Sequence, residues 1–342
     1  MNWIPKKLIL LVFLPLLLMG VACAPIHSSI YDELPTDENG EPLDGVIAVD
    51  VEDNQDEFPD LEDTQPEYQD QLSKAERQII DERHEGEDEK ISFLVVNAET
   101  QTVVRSFRAQ QPRRLASVTK VSTALAALNE VNNVSVSKVR TMLKTSNNAE
   151  ASRYVRLAAK AIEDHETPGS HSTSAHGCSS VIKYEKETAT IVLDWIKALK
   201  PDVDWSEASL NDGAGCSYDN FMSATQTVHI LSAADEFGEK YDGQSFEDLL
   251  SISGVDGTWR RFNNESKGRI FAKTGTLRPN SNLAGYFYVN RDGKDVKYYF
   301  TVFVEKKGSS YSQKARKLIE ALVRQWMGQL KKEEGLSLYS FE

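Results

Sequence analysis

Strand-forming segments stand at both ends of one long stretch of this chain, with helical segments between them. That arrangement constrains the fold more than any other feature. Ile91 to Val96 and Thr102 to Phe107 are β-rich runs on either side of a turn at 97–100, the pattern of a hairpin. Toward the other end, Ile270 to Thr276, Leu283 to Val289 and Val296 to Val304 are three more such runs, the last two joined by a turn at Asn290 to Lys294. Between the two groups the apolar period changes to that of helices. Val121, Ala124, Leu125 and Leu128 mark one; 146 to about 161, 186–199 and 225–234 are others. Ala315, Leu318, Ile319, Leu322, Val323 and Trp326 form a last amphipathic helix. Strands from the first and last segments bury their apolar faces in one antiparallel sheet packed with helices, an α+β fold.

The sequence before this stretch is of another kind. Lys6 and Lys7 precede an apolar run, Leu8 to Leu18, and then Gly20, Val21 and Ala22 lead to Cys23. The run is shorter than the ~20 residues a membrane span needs and reads as an export signal over residues 1–22. Two processing routes fit. Cleavage before Cys23 with lipid on its thiol would anchor the chain to a membrane, although Gly20 stands where that pattern usually has leucine. Cleavage after Ala22 would release a soluble product. The net charge of −13 is concentrated between Asp32 and Lys90, with 23 acidic and 4 basic residues, leaving 29 acidic and 35 basic elsewhere. Residues 23–88 therefore read as an acidic disordered tether, with a short helix near 72–83 and a docking arm for a basic partner as the other reading. The catalytic domain is expected at 89–332 and a tail at 333–342. No basic face for nucleic acid is visible.

With Cys23 taken by processing, Cys178 and Cys216 remain as a pair that an oxidising compartment would join; two unpaired buried thiols are the alternative. His165, His171, His176 and Cys178 share a polar loop, but their spacing matches no tight zinc pattern. The glycine-rich turn from Asn211 to Ser217 lacks the strand and helix of a nucleotide-binding loop.

The chemistry is carried by three short motifs. In Ser117-Val118-Thr119-Lys120, serine and lysine lie one helical turn apart on the same side. A serine becomes a nucleophile when a base takes its proton, and a buried lysine with a lowered pKa can be that base. Ser146-Asn147-Asn148 follows, then Lys273-Thr274-Gly275. Ser-x-x-Lys, Ser-x-Asn and Lys-Thr-Gly in this order are the set found in penicillin-binding proteins and serine β-lactamases. Ser146 can relay the proton to a leaving amine, with Lys273 polarising the relay. Asn148 can offer its amide to the acyl part of a substrate. Thr274 and Thr276 can bind a terminal carboxylate, while Gly275 lets an extended peptide approach the strand. The backbone N–H groups of Ser117 and Thr276 can form an oxyanion hole.

From about residue 91 to 330 the chain resembles the low-molecular-mass class C penicillin-binding proteins, the serine D-Ala-D-Ala carboxypeptidase/endopeptidase family. Leu115 to Lys120, Met142 to Glu150, Asp212 to Ser217, Gly254 to Thr258, Ala272 to Leu277 and Leu283 to Tyr286 carry the likeness. The resemblance implies a β-lactamase/transpeptidase-like fold and hydrolysis of D-Ala-D-Ala termini or D-Ala–diaminopimelate cross-links of peptidoglycan. It also implies covalent inhibition by β-lactams, catalysis by Ser117, Lys120, Ser146 and Lys273, and no cofactor or metal. The family carries a long insertion between its first two motifs; here only Val121 to Thr145 separate them, so the chain looks like a compact relative lacking the accessory domains. A serine β-lactamase shares the three motifs, but no glutamate of a recognisable deacylation loop is apparent. An inactive murein-binding protein is the third reading, and the complete motif set weighs against it.

Overall fold

The computed structural model describes residues 71–84, 88–164, 178, 185–237, 241, 243–262, 266–278, 280–305, 311–332 and 339–341. The expected signal, Cys23, most of the tether and His165, His171 and His176 lie outside the described residues. The described chain opens with α1 (Lys74–His84) and a hairpin of β1 (Ile91–Asn97) and β2 (Thr102–Phe107). A short β3 (Arg113–Arg114) leads to α2 (Lys120–Glu130), α3 (Val136–Thr145), α4 (Asn148–Asp164) and α5 (Lys186–Leu199). Then come β4 (Phe221–Met222), α6 (Ala224–Glu236), β5 (Ser251–Ile252), β6 (Ile270–Leu277), β7 (Asn280–Arg291), β8 (Lys294–Glu305), α7 (Tyr311–Leu330) and β9 (Tyr339–Ser340).

Seven strands form one sheet in the order β5-β6-β7-β8-β1-β2-β9, each neighbouring pair antiparallel. The α+β expectation holds: β1, from the start of the fold, pairs with β8 from its end, Ile91 opposite Val304 and Asn97 opposite Tyr298. Helices cover both faces, so every residue of β1 is buried although its side chains alternate. Leu94, Val96, Tyr286 and Phe303 point into a core shared with α2 to α6. Phe93, Val95, Phe287 and Val302 point into a second core closed by α7, whose Leu318, Leu322 and Trp326 are fully buried.

Three expected boundaries need correction. The fold begins before residue 89. Helix α1 buries Ile80 and packs on α7, and the buried Glu76 accepts hydrogen bonds from Arg105 Nε (2.9 Å) and Trp326 Nε1 (2.7 Å). Burial pushes the Glu76 carboxyl up, but the Arg105 guanidinium and the hydrogen bonds from Ser73 and Trp326 together hold it below the usual range. The helix itself matches the one expected near 72–83, but its packing into the fold has no mark in the surrounding acidic run, because only a few of its residues turn inward. The tail expected at 333–342 contains an edge strand. Thr102 and Val103 of β2 pair with Ser340 and Tyr339, and Phe341 stacks on His229 at 4.1 Å. Backbone pairing along an open edge needs little sequence signature. The helix expected from Ser146 starts at Asn148, and Ser146 instead closes α3 in a left-handed conformation with φ 59°.

Glu76→Ala is expected to lower the unfolding free energy by about 2–3 kcal/mol, since it strands Arg105 and an indole N–H. Urea denaturation checks this; a change within error would show α1 to be peripheral to stability.

Candidate active site

Ser117 sits in one 3-10 turn, Ala116–Thr119, that runs straight into α2, and Lys120 is the first residue of that helix. One turn apart, they meet as the spacing requires: Lys120 Nζ donates to Ser117 Oγ at 3.0 Å. The turn is held by several elements. Leu115 N–H donates to Asn220 O (2.9 Å), and Asn282 Nδ2 donates to Arg114 O (2.7 Å) and Leu115 O (2.9 Å). Ala116 has φ 48°, a left-handed conformation that costs an L-residue ~1–2 kcal/mol and that this packing maintains.

Gly275, which lines the open cleft, also packs on the Ser117 turn. A Cβ at this position would lie 2.6 Å from Leu115 O and 3.1 Å from Val118 N. The missing side chain thus brings β6 against the serine.

Lys120 is completely buried. Its ammonium also donates to Asn148 Oδ1 (2.8 Å) and to Ala214 O. Burial brings its pKa down to about 7, against the opposing pull of the Asp212 and Glu185 charges. The Ala214 carbonyl is aimed by Asp212. That buried carboxylate accepts the N–H groups of Ala214 (2.7 Å), Gly215 (2.5 Å), Cys216 (3.2 Å) and Ser217 (2.5 Å), together with Asn220 Nδ2 (3.2 Å). Gly215 has φ 79°, and a Cβ there would overlap the Ala116 carbonyl. The glycine-rich turn therefore packs directly on the serine turn. Glu185 supports it from behind, accepting Gly213 N–H (3.3 Å), Arg156 Nη1 (2.7 Å) and the Ser152 hydroxyl; burial raises its pKa.

The other two motifs meet beside this group. Lys273 Nζ, fully buried, donates to Ser146 Oγ (3.0 Å) and to Thr274 O (2.7 Å). Burial, and then the charge of Lys120, pull Lys273 well below its ordinary range. Thr274 Oγ1 donates to Thr258 Oγ1 (2.7 Å), while the Thr276 side chain is exposed. An ion pair between Lys144 and Asp256 ties the end of α3, which delivers Ser146, to the 254–258 turn at the sheet edge. Asp212, Glu185, Thr258 and Asn282 had no role in the sequence reading. The first and third stand inside quoted motifs, but nothing in the sequence marked Glu185 or Asn282, since both act through distant backbone groups.

Cys178 and Cys216 are joined by a disulfide. Asn148 Nδ2 lies 3.6 Å from Cys178 Sγ, so the bridge borders the site. Among the described residues no group of three His, Cys, Asp or Glu side chains is placed to hold a metal ion. An open cleft of about 830 Å³ runs from Thr274, Gly275 and Thr276 across to α3 and the turn after β5.

The family model for the D-Ala-D-Ala carboxypeptidase 3 (S13) family matches residues 136–326, which include the second and third motifs. No curated protein matches the sequence. Among solved structures, the chain is similar to penicillin binding protein 4 from Haemophilus influenzae, with 22% identity and a TM-score of 0.44 over 58% of this chain and 40% of that one. It thus spans less than half the length of that protein. A penicillin G-acylated predatory endopeptidase from Bdellovibrio bacteriovorus shows 14% identity and a TM-score of 0.47, covering 70% and 92% of the two chains. A class A β-lactamase representative from Bacteroides cellulosilyticus shows 15% identity and a TM-score of 0.47, covering 76% and 100%. The family match extends over more than half of the sequence, and on that ground the chain belongs to the D-Ala-D-Ala carboxypeptidase 3 (S13) family.

Proposed function

We propose that this protein is a serine peptidase that hydrolyses D-Ala-D-Ala termini or D-Ala–diaminopimelate cross-links of peptidoglycan through an acyl-enzyme on Ser117. The observation that carries this reading is a buried amine, Lys120 Nζ, 3.0 Å from the serine hydroxyl with its pKa near 7. In the neutral form that amine takes the Ser117 proton as Oγ attacks the carbonyl of the penultimate D-alanine. The oxyanion forms beside the backbone N–H groups of Ser117 and Thr276. Ser146, polarised by Lys273, gives its proton to the leaving amine as the C–N bond breaks and takes up the proton held by Lys120, leaving an ester and a neutral Lys120. Water, deprotonated by Lys120, then attacks the ester and returns Oγ to the serine. Asn148 orients the acyl part, and Thr274 and Thr276 hold the terminal carboxylate.

Export fits the leader-like start and the disulfide between Cys178 and Cys216. Lipid attachment at Cys23 would hold the protein at a membrane; no helix among the described residues is long and apolar enough to cross one.

Fluorescent penicillin tests the reading. The expected outcome is a long-lived adduct that peptide mass mapping assigns to Ser117. Absence of an adduct would sink the proposal, and rapid turnover of nitrocefin would favour a β-lactamase. The acylation rate is further expected to rise with pH and level off above about 7, because only unprotonated Lys120 can accept the serine proton. A profile flat from pH 5.5 to pH 8.5 would exclude Lys120 as the base.

A further inference from the structure

We propose that the basic cleft beside β6 receives a leaving group with several carboxylates, the second stem peptide of a peptidoglycan cross-link, in preference to a lone terminal D-alanine. This rests on the serine peptidase reading above and names the substrate that reading left open. The cleft is lined by Arg140, Lys144, Arg260, Arg261 and Arg316 and by no acidic side chain. Two of these cations are committed: Lys144 to Asp256, and Arg316 to Glu320 with its guanidinium 4.8 Å from the centre of the Trp259 ring. Arg260 and Arg261 are exposed and form no ion pair among the described residues. Arg140 Nε is buried in the cleft wall without a hydrogen-bond partner.

Position assigns the cleft to the leaving-group side. It takes in Thr274, Gly275 and Thr276, the strand proposed to hold the carboxylate beyond the scissile bond. Ser117, Lys120 and the acyl-side Asn148 are not among its lining residues. Its volume, about 830 Å³, falls in the range of about 300–1,000 Å³ that accommodates drug-sized ligands, far beyond the need of one alanine. A row of cations with free valence attracts a polyanion from a distance and loses that advantage as salt screens it.

The test uses the full-length Ser117→Ala protein, which binds without turnover. Its probes are a cross-linked stem-peptide dimer and the same dimer with its acceptor-strand carboxylates amidated. At low salt the carboxylate form is expected to bind about tenfold tighter than the amide form. Arg260→Gln combined with Arg261→Gln is expected to remove most of that difference. With otherwise unaltered protein, the ratio of dimer to pentapeptide kcat/KM is expected to fall steeply as salt rises. Equal affinity for the two dimers, or indifference to the arginine substitutions, would overturn the proposal. Penicillin labelling of Ser117 is measured independently, so a failure of the cleft and a failure of the nucleophile give different results.

Discussion

Ser117→Ala is expected to abolish covalent labelling by penicillin, and Lys120→Met to lower the acylation rate constant by about 10²–10⁴. The serine change removes the atom that forms the ester. The lysine change keeps a similar side-chain volume and removes the base, together with the hydrogen bonds to Ser117 Oγ and Asn148 Oδ1. Its effect on folding should be small or favourable. Lys120 is wholly buried and its pKa lies well below the ordinary 10.5. Between about pH 7 and pH 10.5 the unfolded chain therefore holds a proton that the native chain has released, and stability from this group falls as pH falls through that window. Methionine removes this penalty, although it leaves Ala214 O with one partner fewer. Stopped-flow acylation beside thermal melts separates chemistry from folding. An acylation rate within tenfold of the parent, with the melt unchanged, would show that another group takes the serine proton. Arginine at position 120 should not rescue the rate, because a guanidinium keeps its proton.

Gly215→Ala is expected to reduce acylation by about 100-fold and to destabilise the protein by about 3 kcal/mol. Two costs combine there. The φ of 79° is unfavourable for any L side chain, and the new methyl would enter the space of the Ala116 carbonyl. Relief requires the glycine-rich turn and the nucleophile turn to separate, which carries Ala214 O away from Lys120 and disturbs the Ser117 backbone N–H. Gly293→Ala is the control. It has φ 87° in the β7–β8 turn and nothing within 4 Å, so it bears the conformational cost, about 1–2 kcal/mol, without the clash. Equal losses of activity in the two variants would mean that contact between the turns is unimportant to the chemistry.

The elements of the site differ in how visible they were in the sequence. Ser117 and Lys120 were legible because their relation is local: three residues of helical rise bring the two side chains together in almost any fold. The sheet was legible for a similar reason, since β-branched and aromatic runs with turn residues between them mark β1, β2, β6, β7 and β8. Helix α3 was missed because its short apolar pattern of Val136, Val139, Met142 and Leu143 lay between two motifs that drew the reading elsewhere. Glu76 was missed because a buried carboxylate has no sequence mark in a stretch rich in carboxylates. The packing of Gly275 on Leu115 O has no sequence mark, because the two residues lie far apart along the chain.

By itself the sequence determined which side chains were available and their local relations: a serine and a lysine one turn apart, strands at both ends, and cysteines free to pair. Tertiary structure decided what those side chains could do. Bringing Lys273 to Ser146 across 127 positions required β6 to lie beside the end of α3. Lowering the pKa of Lys120 to about 7 required a wall of packed helices, because burial disfavours the charged amine. Sequence spacing acts over a few ångströms along the chain, whereas solvation is set by everything that surrounds an atom, and only the folded chain fixes those surroundings.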